Sequence, residues 1–149
     1  MTYEDYQEIE HTADWALRVR GDDLASLFAS AARGMFSLLT DVSAVEETWH
    51  EQIELEAPDV ETLLIDWLNE LLYRAEENGV VFARFEMHAL ERADSESRAV
   101  EREACATLRA TAIGGAPKKL DKTIKAATFS SLHVVRDRRG YSTEIVFDV

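Results

Sequence analysis

Hydrophobic residues recur along this chain with two periodicities. A period of two residues predicts strands, and a period of about 3.6 residues predicts helices. Residues 15–19 alternate apolar and polar side chains, which is typical of a half-buried strand. Gly21-Asp22-Asp23 follows and supplies a turn, with Asp23 in the position of a helix N-cap. Apolar residues then recur at helical spacing over about 17 residues, which predicts an amphipathic helix. Its apolar stripe consists of Leu24, Leu27, Phe28, Ala31, Ala32, Met35, Phe36 and Leu39.

The same strand–turn–helix pattern recurs further along the chain. Ile53 and Leu55 alternate with glutamates, and Pro58-Asp59 supplies the next turn and N-cap. A second apolar stripe follows, and Asn78-Gly79 ends this helix. We therefore expect two helices side by side on one sheet. The second stripe consists of Val60, Leu63, Leu64, Trp67, Leu68, Leu71, Leu72 and Ala75.

After the second helix, the two-residue alternation returns and predicts strands to the end of the chain. Residues 81–89 and 106–112 are expected to pair, with 91–103 as an exposed hairpin connection. Two last strands, about 124–135 and 141–149, are expected on either side of a basic turn. The predicted fold class is α+β, with two amphipathic helices packed on a mostly antiparallel β-sheet in a single domain of residues 1–149.

Composition narrows the class of protein further. A chain of 149 residues with 46% hydrophobic and 30% charged residues is typical of one globular domain. No stretch is long and apolar enough to span a membrane, and the acidic start does not resemble a secretory signal. Cys105 is the one cysteine, so neither a disulfide framework nor a multi-cysteine zinc site can form. We expect a cytoplasmic protein.

Charge is distributed unevenly along the chain. The formal net charge is −13, which disfavours non-specific binding to nucleic acid. Residues 118–139 nevertheless contain seven Lys or Arg and two Asp. This basic stretch either neutralises the acidic body or forms a contact surface for an acidic or phosphate-bearing partner.

Common catalytic motifs are absent from the sequence. It contains no dinucleotide-binding G-x-G-x-x-G, no phosphate-binding G-x-x-x-x-G-K-[ST] and no G-x-S-x-G nucleophile elbow. The four histidines, His11, His50, His88 and His133, include no pair at i and i+4, so none is assigned to a metal site by spacing. We assign no catalytic residue.

Two aspartates at predicted strand ends are the better candidates for chemistry. Asp14 precedes the strand that begins at Trp15, and Asp148 follows Phe147 on the last strand, so each is expected to point away from the core. Two carboxylates with an oxygen of Val149 would suit a hard divalent cation. By itself, the pattern is more typical of ordinary turn or cap residues than of a metal site.

Several segments resemble the archease family, in the same order and over nearly the whole chain. They are Ile9-Glu10-His11-Thr12-Ala13-Asp14, Asp23-Leu24 with Leu27-Phe28, Met35-Phe36 with Thr40-Asp41, Trp67-Leu68-Asn69-Glu70-Leu71-Leu72-Tyr73, Ile124-Lys125-Ala126-Ala127-Thr128-Phe129 and Val146-Phe147-Asp148-Val149.

The resemblance implies an accessory protein and not an enzyme. Archeases assist a GTP-dependent RNA-splicing ligase in tRNA splicing and RNA repair, by promoting guanylylation of the ligase and its repeated turnover. Carried over by position, Asp14, Asp148 and Val149 would hold a divalent metal, commonly calcium in the family. Lys125 and His11 would be functional contacts, and RNA ends would be reached only through the ligase.

One departure and two alternatives stay open at this point. Phe129-Ser130 stands where the family often has Tyr-His, which puts any role of that pair in doubt here. The alternatives are a stand-alone metal-dependent hydrolase or phosphotransferase, with His11 as acid–base, and a generic acidic, chaperone-like interaction module.

Overall fold

A computed structural model of the protein describes residues 5–10, 15–92, 106–120, 122–130 and 132–149, with the backbone alone at residues 9 and 10. It confirms the α+β fold class, with two helices and antiparallel sheets. The elements in chain order are β1 (Tyr6–Glu10), β2 (Trp15–Gly21), α1 (Leu24–Leu39), β3 (Trp49–Ala57), α2 (Val60–Asn78), β4 (Val81–Arg92), β5 (Ala106–Gly115), β6 (Ala126–Thr128), β7 (Val135–Asp137) and β8 (Gly140–Asp148), with a single 3-10 turn at Val42–Ala44.

Both helices begin at the aspartates that the sequence indicates. The carboxylate of Asp23 accepts a hydrogen bond from the backbone N–H of Ser26 at 2.8 Å, and Asp59 does the same for Thr62 at 2.7 Å. Each bond satisfies one of the N–H groups that a first helical turn leaves without an intrahelical partner. Gly79, in the left-handed conformation at φ 65°, ends α2 as expected.

The described strands form two antiparallel sheets, and not the one sheet that the sequence pattern predicts. In the first sheet the order is β1-β2-β8-β6, with β7 also paired to β8, and in the second it is β3-β5-β4. Helix α1 packs against β2 and β4, and α2 packs against β3 and β6, so each helix contacts strands of both sheets. The predicted pairing of β4 with β5 is confirmed. The connection predicted over 91–103 starts too early, because β4 continues to Arg92 in its pairing with β5, and residues 93–105 lie outside the described part of the chain.

Strand β8 organises the first sheet. On one side it pairs with β2 along residues 141–147, and on the other side β7 and β6 pair with opposite ends of it. Gly140, at φ 121°, begins β8 at the tight turn after β7, where a Cβ atom would lie 2.3 Å from the backbone oxygen of Gly21. The basic turn is therefore confirmed, and glycine is required there both for its backbone angle and for space.

Two expectations about strands are wrong in detail. The continuous strand predicted over 124–135 is two short strands, β6 and β7, separated by residues 129–134. The first strand, β1, was not predicted. Its apolar residues Tyr6 and Ile9 are three apart, which breaks the alternation on which the prediction depends.

The core lies between the helices and the sheets. Trp67 of α2 is fully buried and donates from its indole nitrogen to the backbone oxygen of Phe28 in α1 at 3.0 Å. Phe36, Phe82 and Phe85 pack around one another, with ring centroids 5.7–6.5 Å apart. Such packing of large apolar groups supplies most of the favourable free energy of folding and holds the ends of the strands in place.

Candidate metal centre at the end of the last strand

The end of β8 carries an exposed carboxylate next to a buried anchor. Phe147 is fully buried, and Asp148 after it is exposed on the opposite face, where Val146 two residues earlier is buried. Val149 follows with 40% of its surface exposed. The alternation of the sequence therefore predicts the direction of Asp148 correctly.

Neighbouring strands hold this end of β8 from both sides. Phe147 pairs with Trp15 of β2 and with Ala127 of β6, and Asp148 pairs with Ala126. The backbone N–H of Lys125 donates to the backbone oxygen of Asp148 at 2.8 Å. The backbone that carries the Asp148 carboxylate is thus fixed by hydrogen bonds, while the carboxylate itself faces solvent.

A helix side chain supports β6 from the other side. The amide oxygen of Asn69 in α2 accepts from the backbone N–H of Ala127 at 2.8 Å, and its nitrogen donates to the Ala127 carbonyl oxygen at 3.2 Å. The sequence motif that contains Asn69 does not by itself predict this role. Asn69 follows the buried Ile65 by four residues, so helical spacing places this polar side chain on the inward face of α2. That spacing was the signal in the sequence for a structural role.

Two of the residues singled out by sequence, Asp14 and His11, lie outside the described residues. The structure does describe Trp15, the residue that directly follows Asp14, and places it opposite Phe147 at the end of β8. The Nζ atom of Lys122 lies 4.0 Å from the centre of the Trp15 ring, which is the geometry of a cation–π interaction. Sequence reasoning missed this contact, because 107 positions separate a lysine and a tryptophan that share no motif.

The backbone of Lys125 lies next to Asp148, to which it is hydrogen-bonded. The Lys125 side chain is exposed, and this residue directly precedes β6. Phe129, directly after β6, is also exposed, with 55% of its surface accessible. The residues that flank the short strand β6 therefore present a cation on one side and an aromatic ring on the other.

The donor set at this end of β8 has the chemistry of a hard-cation site. In the described part of the chain, the Asp148 carboxylate accepts no hydrogen bond and forms no ion pair. Carboxylate and carbonyl oxygens are the ligands that Ca²⁺ and Mg²⁺ prefer. Among the described residues no group of three or more acidic, His or Cys side chains comes together, so Asp148 and Val149 need a further ligand from elsewhere.

The described histidines do not form a site. His50 lies on β3 and His88 on β4, with β5 between the two strands, whereas His133 lies near β8 in the first sheet. His88 shares a hydrogen bond with the hydroxyl of Thr111 at 2.8 Å. Cys105 lies outside the described residues.

The basic stretch is divided by the fold. Lys122 and Lys125 lie near the end of β8, whereas Arg136 and Arg139 lie at the turn where β8 begins. Eight steps along a strand separate Gly140 from Asp148, which is roughly 26 Å at the usual rise. A run of cations that is continuous in sequence therefore forms two separate groups at opposite ends of one strand.

Together these features define a small acidic α+β protein whose last strand ends in an exposed carboxylate. The model of the archease protein family matches residues 6–149. Protein archease of Methanopyrus kandleri is 35% identical over 150 residues, covering 97% of this chain and 99% of that protein. Protein archease of Methanosarcina mazei is 30% identical, covering 97% of this chain and 95% of that protein. This chain belongs to the archease family.

Solved structures show the same fold. The solution structure of protein 1598 from Methanobacterium thermoautotrophicum matches with a TM-score of 0.81 and 25% identity, covering 99% of this chain and all of that one. The crystal structure of "an archease, possible chaperone" from Thermotoga maritima matches with a TM-score of 0.61 and 23% identity, covering 96% of each chain. In the described part of this chain, neither helix is long and apolar enough to cross a membrane.

Proposed function

We propose that this archease is an activator of a GTP-dependent RNA-splicing ligase, and that it works with a divalent metal, calcium in the first instance. Membership of the archease family carries the proposal, since the family resemblance implies this role. The ligase would join RNA ends in tRNA splicing or RNA repair. This chain would raise the rate at which the ligase is guanylylated and turns over, without itself acting on RNA.

The metal would be held by Asp14, Asp148 and an oxygen of Val149. Support comes from Asp148, whose backbone is held by Ala126 and Lys125 while its carboxylate has no competing partner among the described residues. A ligand held in this way loses little conformational freedom when the ion binds. When bound, the ion would supply positive charge that phosphate oxygens can approach.

Lys125 and the charge of the whole chain fit the same role. The Lys125 side chain is free to extend from a backbone that is hydrogen-bonded to Asp148, so it can offer an ammonium group to a phosphate or to a partner carboxylate. A net charge of −13 makes independent binding of RNA unfavourable, and it favours association with a basic, RNA-binding protein.

The test uses the cognate ligase in catalytic amounts with split tRNA, GTP and a divalent ion. Wild-type protein is expected to raise multiple-turnover ligation, and Asp148→Asn is expected to abolish the gain. Glu144→Gln is the matched control, because Glu144 lies four residues earlier on the same face of β8 and the substitution removes the same charge. Lys125→Ala is expected to weaken activation while leaving calcium binding intact.

Calorimetry tests the metal separately. Asp148→Asn should lower calcium affinity at least about tenfold, or about 1.4 kcal/mol, and Glu144→Gln should leave it nearly unchanged. If wild-type protein gives no increase in ligation with the cognate ligase, the proposed function is wrong whatever the calcium result. Turnover of a phosphate substrate by the isolated protein would instead favour the hydrolase alternative.

A further inference from the structure

An apolar groove of about 520 Å³ opens beside the end of β8. It lies between the C-terminal ends of the two helices, the start of β4, and residues 117–120 and 122–125. Its lining is mainly aliphatic, and its size is in the range of sites that accept a small molecule or a few side chains. The aliphatic residues include Leu39, Leu72, Ala75, Val81, Leu120 and Ile124.

The floor and the rim of the groove differ in exposure. Leu39 and Val81 on the floor are buried, with at most 7% of their surface accessible, whereas Leu120 on the rim is 52% exposed. Covering this exposed leucine and the apolar surface beside it would be favourable. Each Å² of apolar surface removed from water contributes about 25 cal/mol. The groove therefore has apolar surface available to a partner.

The segment that carries Leu120 is held on both sides of it. The hydroxyl of Thr40 donates to the backbone oxygen of Lys119, and Lys122 lies over the Trp15 ring. Further along, the backbone N–H of Lys125 bonds to Asp148. The exposure of Leu120 is thus a property of an anchored segment, and a partner would meet a pre-formed surface at a small entropic cost.

Charge and lining together indicate what the groove would accept. Two lysines, Lys122 and Lys125, and one acidic residue, Glu76, line it. None of the described lining residues is aromatic, so the groove offers no ring on which a nucleobase could stack. An aliphatic pocket with lysines at its edge fits a bulky apolar side chain that has a carboxylate close to it in its own chain.

We propose that this groove receives an apolar side chain of the partner protein, from a segment that carries Asp or Glu beside that side chain. The inference rests on the proposed function, since it takes the ligase as the partner. Lys125 lines the groove and is hydrogen-bonded through its backbone to Asp148. A partner segment docked in the groove would therefore lie next to the candidate metal centre. The groove would hold the partner protein at that position.

The first experiment measures affinity for the purified ligase, by calorimetry with calcium present. Leu120→Asp is expected to weaken binding at least about tenfold, because it places a charge where an apolar anchor docks. Leu120→Met, which keeps an apolar side chain of similar volume, should retain wild-type affinity. Val135→Asp is the matched control: Val135 is 45% exposed and pairs near the opposite end of β8, and this substitution should have little effect.

The second experiment identifies the occupant. A photo-reactive p-benzoylphenylalanine in place of Leu120 should crosslink to a ligase peptide that contains a bulky apolar residue next to Asp or Glu. The same group at position 135 should not. Mass spectrometry of the crosslinked peptide gives the answer directly.

The outcomes separate the two proposals. If wild-type protein binds and activates the ligase but Leu120→Asp binds as tightly as Val135→Asp, the groove proposal is overturned and the proposed function stands. A crosslink to RNA, protection of position 120 by GTP, or a ligase peptide without an acidic residue also overturns it. If Leu120→Asp loses ligase affinity while its calcium affinity and melting temperature match wild type, the groove is the anchor. If wild-type protein neither binds nor activates the ligase, both proposals fail.

Discussion

Asn69 binds Ala127 through two hydrogen bonds, one to its backbone N–H and one to its carbonyl oxygen, and so acts in place of a neighbouring strand. Strand β6 has only three residues, and it pairs with β8 at the position of Asp148. A side chain of α2 thereby keeps the short strand against the end of β8. The geometry of the candidate metal centre depends on a helix that contributes no ligand to it.

Asn69→Ala is therefore expected to lower both stability and calcium affinity. It leaves two partly buried backbone groups of Ala127 without partners, which costs about 1–3 kcal/mol in the free energy of unfolding. Urea denaturation measures the loss, and hydrogen exchange should show faster exchange at Ala127. Asn78→Ala is the control, since the Asn78 side chain bonds only to Arg74 within the same helix and should cost far less. Equal stability of the two variants would contradict this role of Asn69.

The N-cap of α1 gives a prediction about pH. Hydrogen bonds from Ser26, the backbone N–H first, hold the pKa of Asp23 below its ordinary value of 3.8. A lowered pKa in the folded state means that this stabilisation is complete above pH 3.8 and is lost as the pH falls through the lowered pKa. Asp23→Ala should cost about 1 kcal/mol at neutral pH in thermal or urea unfolding.

Asp23→Asn is the informative comparison for that cap. Asparagine still accepts the hydrogen bond from Ser26 but does not titrate, so the variant should stay close to wild type at neutral pH. Its stability should then fall less steeply than that of wild type as the solution is acidified. Parallel pH profiles for the two proteins would show that the Asp23 carboxylate does not contribute in this way.

Two glycines with positive φ should respond differently to alanine. At Gly140 a Cβ atom would meet the backbone oxygen of Gly21, whereas at Gly79 no atom lies within 4 Å of the added carbon. Gly79→Ala should therefore cost only the strain of the left-handed backbone, about 1–2 kcal/mol. Gly140→Ala adds a clash with fixed backbone and should cost clearly more in the free energy of unfolding. A smaller loss at Gly140 than at Gly79 would be inconsistent with the close approach of β8 to Gly21.

Trp15 should report on metal binding. It directly follows Asp14 in the chain, and its pairing partner Phe147 directly precedes Asp148. We expect calcium to change tryptophan emission in the wild type and in Trp49→Phe, because Trp49 lies on β3 in the other sheet. The change should vanish in Trp15→Phe. A calcium response that survives in Trp15→Phe would place the ion elsewhere.

The two helices could be predicted from the sequence because local rules determine them. An aspartate cap and an apolar stripe act within a few residues of one another in both helices, and Gly79 ends α2, so α1 and α2 begin at the expected positions. The direction of Asp148 was predictable for a similar reason, since strand alternation relates it to Phe147.

The supporting contacts of the site could not be predicted in the same way. Asn69 and Ala127 lie 58 positions apart, and the partner of an amide side chain over such a distance is set by how the elements pack. The prediction of one strand over 124–135 is wrong for the same reason: residues 126–128 and 135–137 have strand partners on β8, whereas the described residues between them have none. Whether an apolar segment becomes a strand depends on what lies beside it.

The position of β8 in the chain has a consequence for biosynthesis. Strands β2, β6 and β7 are all translated before the strand with which they pair, so the first sheet cannot assemble until residues 140–148 have left the ribosome. The same residues end in the Asp148 carboxylate. A copy cut short by a broken or truncated message would therefore lack the central strand and the candidate ligand together. Such a copy could not complete the first sheet, because β2, β6 and β7 would each lack the strand with which they pair.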